Sequence, residues 1–364
     1  MIKNLKSINA GDLNVSYFEA GSKNSVPVIL LHGFPYDIHA FKEVVPLLLD
    51  SNCRVIVPYL RGYGRTYFLQ NDTLRSGQQA ALGFDLLKLM DALKINNAIL
   101  GGYDWGGRAA CIVAALYPER CLGLVSCNGY NIQDIKNSLT PVNPEAEQKL
   151  WYQYFFHNER GRNGLNNKRH EYIKYLWKTW SPSWNYSNEV YDLSANSFEN
   201  SDFVDVVIHS YKHRFGMIKG DLKFDKIEDQ LSKQPIISTP SITLDGETDG
   251  VTGLSNITKI KQKFSNHIRH QVLPKVGHNV PQEDPKNFSR AILEIRSKSW
   301  YYILAIFVGK PNSFLHISAK SLTPSSISLI EGLPKQSRIL CLPFGLIDHS
   351  LPGFIATPSL NANS

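Results

Sequence analysis

The sequence predicts an α/β fold: a mostly parallel sheet flanked by helices, with a further group of helices inserted into it. Unbroken apolar runs of strand length alternate with helical segments over residues 1–130, a pattern typical of a doubly wound sheet. The alternation then stops and returns over residues 236–298. The intervening residues 131–235 are rich in aromatic and polar side chains, so we expect them to form a helical cap over the strand ends.

Residues 1–130 are expected to form the first part of the α/β core. The apolar runs that have no polar interruption predict strands covered on both faces, whereas strict alternation predicts a strand with one exposed face. In chain order, the predicted elements are the half-exposed strand LNVSYFEAG, the strand VPVILLHG, the helix AFKEVVPLLLD, the strand CRVIVPYL, the amphipathic helix QQAALGFDLLKLMDALKI, the strand NAILGGYD, the helix after it, and the strand CLGLVSCNG.

The cap and the second part of the core follow. The cap segments EAEQKLWYQYFF, RHEYIKYLWKTW and FVDVVIHSYKHRF have helical spacing with aromatic faces. The core returns with the strands in PSITLDGETDG and RHQVLPKVGHNVP and with the helix DPKNFSRAILEIRSK. From residue 299 to 364 no sustained period remains, so this tail is assigned no role and partial disorder is expected. An alternative for the tail is a sequence artefact such as a read-through.

Composition restricts the class of protein. Apolar residues make up 43% and charged residues 20% of the chain, as in ordinary globular proteins. The net charge of +7 is spread along the chain without a zinc-ligand spacing or an RNA-binding motif. We therefore interpret it as a lysine-rich surface and predict no nucleic-acid partner.

Cysteine usage and the apolar segments indicate a cytoplasmic protein. The five cysteines are odd in number and form no C-x-x-C pair, which favours buried free thiols in a reducing compartment. The N-terminus has no apolar core of the kind found in a secretion signal. The longest apolar run, residues 300–308, has about half the length needed to cross a bilayer, so no membrane span is predicted.

The segment GGYDWGG holds the first candidate for chemistry, Asp104. Gly102, Gly106 and Gly107 flank it at a predicted turn from strand to helix, where larger side chains would clash. The first turn of the following helix would present backbone N–H groups to this carboxylate. Taken alone, the pattern also fits an aspartate that merely caps a helix.

Three further segments strengthen the catalytic interpretation. LLHGFP ends a buried strand in a His-Gly pair, and LDGETDG ends a later strand with a carboxylate, Asp249. VGHNVPQEDP places His278 in a loop after the last predicted strand. The order nucleophile, acid, histidine along the chain is that of Ser-type hydrolases built on this topology. Asp245 lies at the same strand end as Asp249 and stays an alternative for the acid.

Together these motifs resemble the α/β-hydrolase superfamily over residues 1–297, in particular the branch of epoxide hydrolases and haloalkane or haloacetate dehalogenases. That branch carries aspartate in a D-W-G-G elbow, as Asp104-Trp105-Gly106-Gly107 does here. The resemblance implies that Asp104 is a nucleophile, that His278 is a general base and that Asp249 orients it. It also implies an oxyanion hole made of the backbone N–H groups of Phe34 and Trp105.

The use of aspartate has a chemical reason. A serine that attacked a saturated carbon would leave an ether, which a histidine-activated water does not cleave. An aspartate leaves an ester, which water can hydrolyse at the acyl carbon. Opening of an epoxide and displacement of a halide are both compatible with this scheme, and neither requires a metal or an organic cofactor.

The leaving group separates the two substrate classes. Epoxide hydrolases of this branch resemble one another in two cap tyrosines that protonate the ring oxygen, and Tyr152 and Tyr211 match those places, with Tyr154 as a neighbouring competitor. We therefore predict an epoxide hydrolase that gives vicinal diols from an apolar substrate and water. The alternatives are a haloalkane or haloacetate dehalogenase and, less favoured, a ligand-binding receptor without turnover.

The dehalogenase alternative fits some positions and not others. Phe34 stands where haloalkane dehalogenases usually carry a halide-binding asparagine, whereas the Trp105 indole occurs in both classes. Haloacetate dehalogenases hold the substrate carboxylate with two arginines after the aspartate; Trp105 occupies the first place and Arg108 the second. Arg108 is thus a predicted substrate-binding residue, as is Trp180 in the aromatic cap. The natural substrate and the oligomeric state are not specified by the sequence.

Overall fold

The computed structural model describes residue 2 and residues 4–308, with side chains described as far as residue 298. The chain divides into two compact units, Met1–Ser299 and Trp300–Ser364. Of the second unit only the backbone of residues 300–308 is described, as helix. The prediction of partial disorder for the tail lies, for residues 309–364, outside the described residues.

A nine-stranded sheet forms the centre of the first unit, in the spatial order β1-β2-β4-β3-β6-β7-β8-β9, with β5 paired to β2. The strands from β4 to β9 along this order pair in parallel, while β1, β2 and β5 are antiparallel to their neighbours. The strands are β1 (Lys6–Ala10), β2 (Leu13–Ala20), β3 (Pro27–Leu31), β4 (Arg54–Pro58), β5 (Tyr67–Phe68), β6 (Ala98–Gly102), β7 (Cys121–Cys127), β8 (Ser241–Gly246) and β9 (His267–Leu273).

The central strands are apolar and buried because helices cover both faces of a parallel sheet. All five residues of β4 and of β6 are buried, as are all but the first of β3. The core helices are α1 (Val44–Asp50), α2 (Gln79–Ala92), α3 (Asp104–Leu116), α11 (Ile257–Lys263), α12 (Val280–Glu283) and α13 (Pro285–Val308). The predicted mostly parallel sheet flanked by helices is confirmed.

The strand order places a crevice at the carboxyl ends of β3 and β6. From β3 the sheet grows to β4 on one side, and from β6 it grows to β7, β8 and β9 on the other. Connections that leave adjacent strands in opposite directions open a crevice at this edge, where α/β proteins place their ligand sites. The loop after β3 and the turn after β6 therefore meet at this point.

Seven α-helices lie along the chain between β7 and β8. They are held to the core by polar contacts: the indole N–H of Trp177 donates to the carbonyl of Pro35 at 2.7 Å, and Arg75 forms an ion pair with Asp202 at 2.8 Å. The seven are α4 (Pro144–Lys149), α5 (Trp151–Phe155), α6 (Glu159–Asn167), α7 (Arg169–Trp180), α8 (Asn188–Ala195), α9 (Phe203–Arg214) and α10 (Asp225–Ser232).

The structure differs from the predicted elements at both ends. The antiparallel strand β1 precedes the first predicted strand and pairs with it through a tight turn at Gly11. At the other end, α13 continues to Val308 instead of ending at Lys298. The sequence contains no glycine or proline between residues 286 and 308, so nothing there ends the helix. None of the helices described is both long and apolar enough to cross a bilayer.

Candidate active site

Asp104 lies at a strained turn between β6 and α3. Its φ is +48°, in the left-handed region that costs energy for any residue with a side chain. A Cβ added at Gly106 would lie 2.1 Å from the carbonyl oxygen of Leu31, and one at Gly102 would lie 2.7 Å from the backbone of Gly106. Only glycine at these two positions lets β6 turn into α3 so tightly. The turn lifts the Asp104 carboxylate to the crevice at the edge of the sheet.

The two carboxylate oxygens of Asp104 have different environments. Oδ1 accepts a hydrogen bond from the backbone N–H of Phe34 at 2.7 Å. Oδ2 lies 3.9 Å from Nε2 of His278. The N–H of Trp105 belongs to the first turn of α3, whose N–H groups have no acceptor within the helix and favour negative charge beside them. Oδ1 is thus the oxygen held by the predicted oxyanion donor, and Oδ2 is the one available to attack.

His278 is oriented by Asp249. Nδ1 of His278 lies 2.8 Å from Oδ2 of Asp249, while the other oxygen of Asp249 accepts from the N–H groups of Val251 and Thr252. This arrangement leaves Nε2 of His278 facing Asp104, and within the described residues Nε2 has no hydrogen-bond partner. Both side chains are buried.

The electrostatics of this pair suit a general base. Burial alone would lower the pKa of His278, but the charge and hydrogen bond of Asp249, together with the charge of Asp104, raise that pKa above its ordinary value. Burial alone would raise the pKa of Asp249, but the charge and hydrogen bond of His278 lower it. Asp249 therefore stays ionised and holds the imidazole with its proton on Nδ1.

Asp245, the alternative acid, lies elsewhere. Its carboxylate accepts from the backbone N–H and the hydroxyl of Ser255, and it lies 3.6 Å from Nε2 of His270. It forms no hydrogen bond with His278 among the described residues. The structure therefore brings Asp249, and not Asp245, against the imidazole.

Asn128 is a site residue that the sequence analysis missed. It follows β7 with a φ of +62°, and its Nδ2 donates to Oδ2 of Asp249 and to Oγ1 of Thr252, both at 2.8 Å. Oδ2 of Asp249 is the same oxygen that accepts from His278. The only signal in the sequence is the Asn-Gly pair after a buried strand, which predicts a turn and not a contact.

We expect Asn128→Ala to lower kcat about tenfold, because it removes one hydrogen bond that orients Asp249 without removing the carboxylate. The measurement is kcat and the melting temperature of the variant against the wild type. Thr252→Val tests the same network a second time, since Thr252 also donates to Oδ2 of Asp249, at 3.0 Å. An unchanged kcat in both variants would contradict a positioning role for this network.

The two predicted tyrosines lie side by side, with ring centroids 5.4 Å apart. Tyr152 accepts from Gln153 at 3.0 Å, and its pKa is raised to about 12 by burial and, in smaller part, by the charge of Asp104. The pKa of Tyr211 is raised well above its ordinary value, first by burial. Both hydroxyls therefore keep their protons at neutral pH. Tyr154 instead donates its hydroxyl to Glu147 and is 39% exposed.

A cavity of about 640 Å³ is lined by Asp104 and His278 on one side and by helices of the insertion on the other. Trp180 and Tyr211 are buried beside this cavity and do not belong to its lining. The ring of Trp180 packs 5.1 Å from that of His278, so Trp180 contacts the base and not the open space. No group of side chains able to hold a metal ion occurs in the described part of the chain. The lining includes Asp104, His278, Tyr152, Gln153, Arg108 and Arg214.

A parallel sheet with an aspartate at a glycine-flanked elbow, followed along the chain by a second carboxylate that is hydrogen-bonded to a histidine, is typical of a hydrolase of the α/β class. The family model described as alpha/beta hydrolase fold matches residues 26–285, and the chain belongs to this family.

Known relatives place the chain near the epoxide hydrolases. Human Epoxide hydrolase 4 is 24% identical over 303 residues, which cover 78% of this chain and 76% of that protein. The crystal structure of a Klebsiella pneumoniae protein assigned as an epoxide hydrolase is 41% identical, with a TM-score of 0.80 over 81% of this chain and 98% of the other. A haloalkane dehalogenase of Psychrobacter cryohalolentis is 32% identical over 109 residues, 30% of this chain and 35% of that protein. The predicted resemblance to this branch is confirmed.

Proposed function

We propose that this protein is an epoxide hydrolase that opens an epoxide to a vicinal diol through a covalent ester on Asp104. The observation that supports this most directly is the environment of the Asp104 carboxylate. One oxygen is held by a backbone N–H, and the other faces an unpartnered imidazole nitrogen in a cavity that Tyr152 also lines.

In the first step, Oδ2 of Asp104 attacks a ring carbon and the carbon–oxygen bond of the epoxide breaks. The departing oxygen takes a proton from Tyr152 or Tyr211, so that no free alkoxide forms. The products of this step are an ester on Asp104 and a tyrosinate. Two adjacent phenols allow the remaining hydroxyl to stabilise that tyrosinate by a hydrogen bond.

In the second step, His278 removes a proton from water, and the resulting hydroxide attacks the ester carbonyl carbon of Asp104. The N–H groups of Phe34 and Trp105 stabilise the oxyanion that forms on Oδ1. When the tetrahedral intermediate collapses, the diol leaves with the proton from His278. The proton left on the Asp104 carboxyl returns to the tyrosinate, which restores the starting state.

A screen of epoxides with isotopically labelled water tests the proposed function. In a single turnover with enzyme in excess in H₂¹⁸O, we expect unlabelled diol and one ¹⁸O atom in the peptide that contains Asp104, because the added oxygen comes from the carboxylate. Label in the diol from the first turnover would show direct attack by water. Binding of epoxides without any turnover would instead favour the receptor alternative.

Replacement of the tyrosines separates epoxide opening from halide displacement. We expect Tyr152→Phe and Tyr211→Phe each to lower diol formation about 10- to 100-fold, and the double variant to abolish it, because an alkoxide then leaves without a proton. Tyr154→Phe is the matched control, since its hydroxyl is bound to Glu147, and diol formation should change less than about twofold. A double variant with wild-type turnover would overturn the donor role.

The effect of the Asp104 charge on the pKa of His278 should be measurable. We expect the pKa of His278 in the wild type to lie above its ordinary value, and Asp104→Asn to lower it, because that variant removes one negative charge as ester formation does. The imidazole is therefore more readily neutral when the ester must be hydrolysed. Histidine NMR titration gives both values, and His39, whose pKa is raised by Asp37, serves as the unchanged control. Equal values for His278 in both proteins would contradict this coupling.

Halide displacement is the second candidate function. The indole Nε1 of Trp105 is buried and has no hydrogen-bond acceptor within the described residues, so it can donate to a departing halide. Similarity to the haloalkane dehalogenase of Psychrobacter cryohalolentis supports the same alternative. Halide release from a halogenated substrate, with the tyrosine variants fully active, would favour it.

The remaining assignments accompany the proposed function. We propose that residues 131–235 form a cap over the core, which residues 1–130 and 236–298 make up, and that water and a small epoxide are the substrates. The cytoplasm is the proposed location, supported by four buried cysteines that form no disulfide among the described residues.

A further inference from the structure

Arg108 is a buried arginine without an acidic partner. It lies one turn along α3 from Asp104 and is 6% exposed. Its Nε donates to the backbone carbonyl of Asn131 at 3.2 Å. Within the described residues its two Nη atoms form no hydrogen bond, and no carboxylate lies within 4.0 Å of its guanidinium. Four N–H groups of Arg108 are therefore available in the cavity that contains the nucleophile.

Arg214 enters the same cavity from the insertion, at the end of α9. Its Nη1 donates to Oε1 of Gln153 at 3.1 Å, and the side-chain amide of Gln133, turned with its oxygen toward the guanidinium, accepts from Nε and Nη2. The guanidinium stacks over the ring of Tyr211 at 4.7 Å. All these partners are neutral, so the charge of Arg214 also lacks a counterion among the residues described.

The unpaired charge of the buried Arg108 destabilises the protein, and the half-buried Arg214 adds a second positive charge to the same cavity. Burial lowers the pKa of Arg108 to about 10, and the charge of Arg214 contributes to that fall. Charged groups that are removed from water are normally paired with an opposite charge. Without such a partner, no attraction offsets the free energy lost when the group leaves water. Arg108 on the core and Arg214 on the insertion both line this cavity, so both are available to a molecule that occupies it.

The other acidic side chains of the lining do not supply that anion. Asp134 accepts from the side chain of Asn137, and Glu147 accepts from the backbone N–H of Val142 and from Tyr154. Neither forms an ion pair with an arginine within the described residues. The charge of Asp104 acts on Arg108 from a distance, but this charge is lost when the ester forms.

We propose that the substrate is an epoxide that carries a carboxylate, and that Arg108 and Arg214 together bind this carboxylate while Asp104 attacks the ring. The inference rests on the proposed function and narrows its substrate class. A guanidinium presents N–H groups in one plane and so matches a planar carboxylate. Because Arg214 belongs to the insertion and Arg108 to the core, the anion would join the two walls of the cavity around the substrate.

Paired substrates that differ only in charge test the proposal in the full chain. The probes are trans-3-phenylglycidate and its methyl ester, with diol formation measured for both. We expect kcat/KM to be at least about tenfold higher for the acid, as charge-assisted hydrogen bonds predict. In Arg108→Gln and in Arg214→Gln this preference should fall to about unity, chiefly through KM. Lys212→Gln is the matched control on α9, since Lys212 does not line the cavity, and it should keep the preference.

The outcomes separate this inference from the proposed function. Hydrolysis of the ester at a rate equal to or above that of the acid overturns the carboxylate subsite and leaves the epoxide hydrolase assignment intact. If neither probe nor any other epoxide is hydrolysed, the proposed function itself is overturned.

Inhibition of the wild-type enzyme by substrate analogues tests the carboxylate subsite without any variant, and so applies even if an arginine variant fails to fold. We expect 3-phenylpropanoate to inhibit at a concentration at least about tenfold lower than 3-phenylpropanamide, which has the same shape without the charge. Equal inhibition by the two compounds overturns the proposal.

Discussion

In His278→Gln, a single turnover with an epoxide should leave the substrate attached to Asp104. The first step does not use the imidazole, because Oδ2 of Asp104 attacks the ring and a tyrosine protonates the departing oxygen. The second step does use it, since water must lose a proton before it attacks the ester. We therefore expect the ester to accumulate in stoichiometric amount, while steady-state turnover falls by about 10³-fold or more.

Intact-protein mass spectrometry measures this result as an increase equal to the mass of the epoxide, and peptide mapping locates it. Asp104→Asn is the control, since its amide cannot form the ester and the protein should stay unmodified. An adduct on any residue other than Asp104, or full turnover in His278→Gln, would reject the mechanism. Failure to modify either protein while the wild type makes diol would point to direct attack by water.

Asp249→Asn should lower kcat by about 10⁴-fold, the size of effect seen when the orienting acid of a triad is neutralised. An amide at position 249 no longer holds the proton on Nδ1 of His278, so the proton can move to Nε2. A protonated Nε2 cannot accept a proton from the attacking water. The negative charge that raises the pKa of His278 is also removed. The measurements are kcat for diol formation and the pKa of His278, both of which should fall.

Asp245→Asn is the matched control, because the two aspartates lie at the same strand end. Asp245 is fully buried and bound to Ser255, so its replacement should lower the melting temperature. Its effect on kcat should stay below about tenfold, since it does not touch His278. If instead Asp245→Asn abolished turnover and Asp249→Asn did not, the acid of the site would be the other carboxylate.

The sequence contained enough information to predict the parallel sheet and the glycine-flanked turn that carries Asp104. Apolar runs such as VPVILLHG and NAILGGYD have no polar face to expose, so helices must cover both faces of the strands that they form. Covering of this kind is typical of a parallel sheet. The glycines beside Asp104 predicted a tight turn, and the structure gives the reason for one of them: a Cβ at Gly106 would lie 2.1 Å from the carbonyl oxygen of Leu31 in β3. The end of α13 was missed because its amphipathic pattern gives way to a uniformly apolar run, and such a run has no helical period to read.

Choices between neighbouring residues depended on the tertiary structure. Asp245 and Asp249 share one strand end, and only the path of the loop after β8 brings Asp249 to 2.8 Å from His278. Tyr152 and Tyr154 share one short helix, and only its docking turns Tyr152 inward. The spacing of residues along the chain predicts which helix, strand or loop a side chain belongs to. Hydrogen bonds depend on distances between those elements, and the spacing does not specify these distances.

The sequence by itself determined the α/β class of this protein and the chain order of Asp104, Asp249 and His278, because periodicity and motif spacing are local properties of the chain. Only the tertiary structure decided the partners of those residues. Asn128 reaches Asp249 across 121 positions of sequence, and Arg108 and Arg214 meet in one cavity although they belong to the core and to the insertion. Such contacts arise from the packing of distant segments, which leaves no local pattern in the sequence.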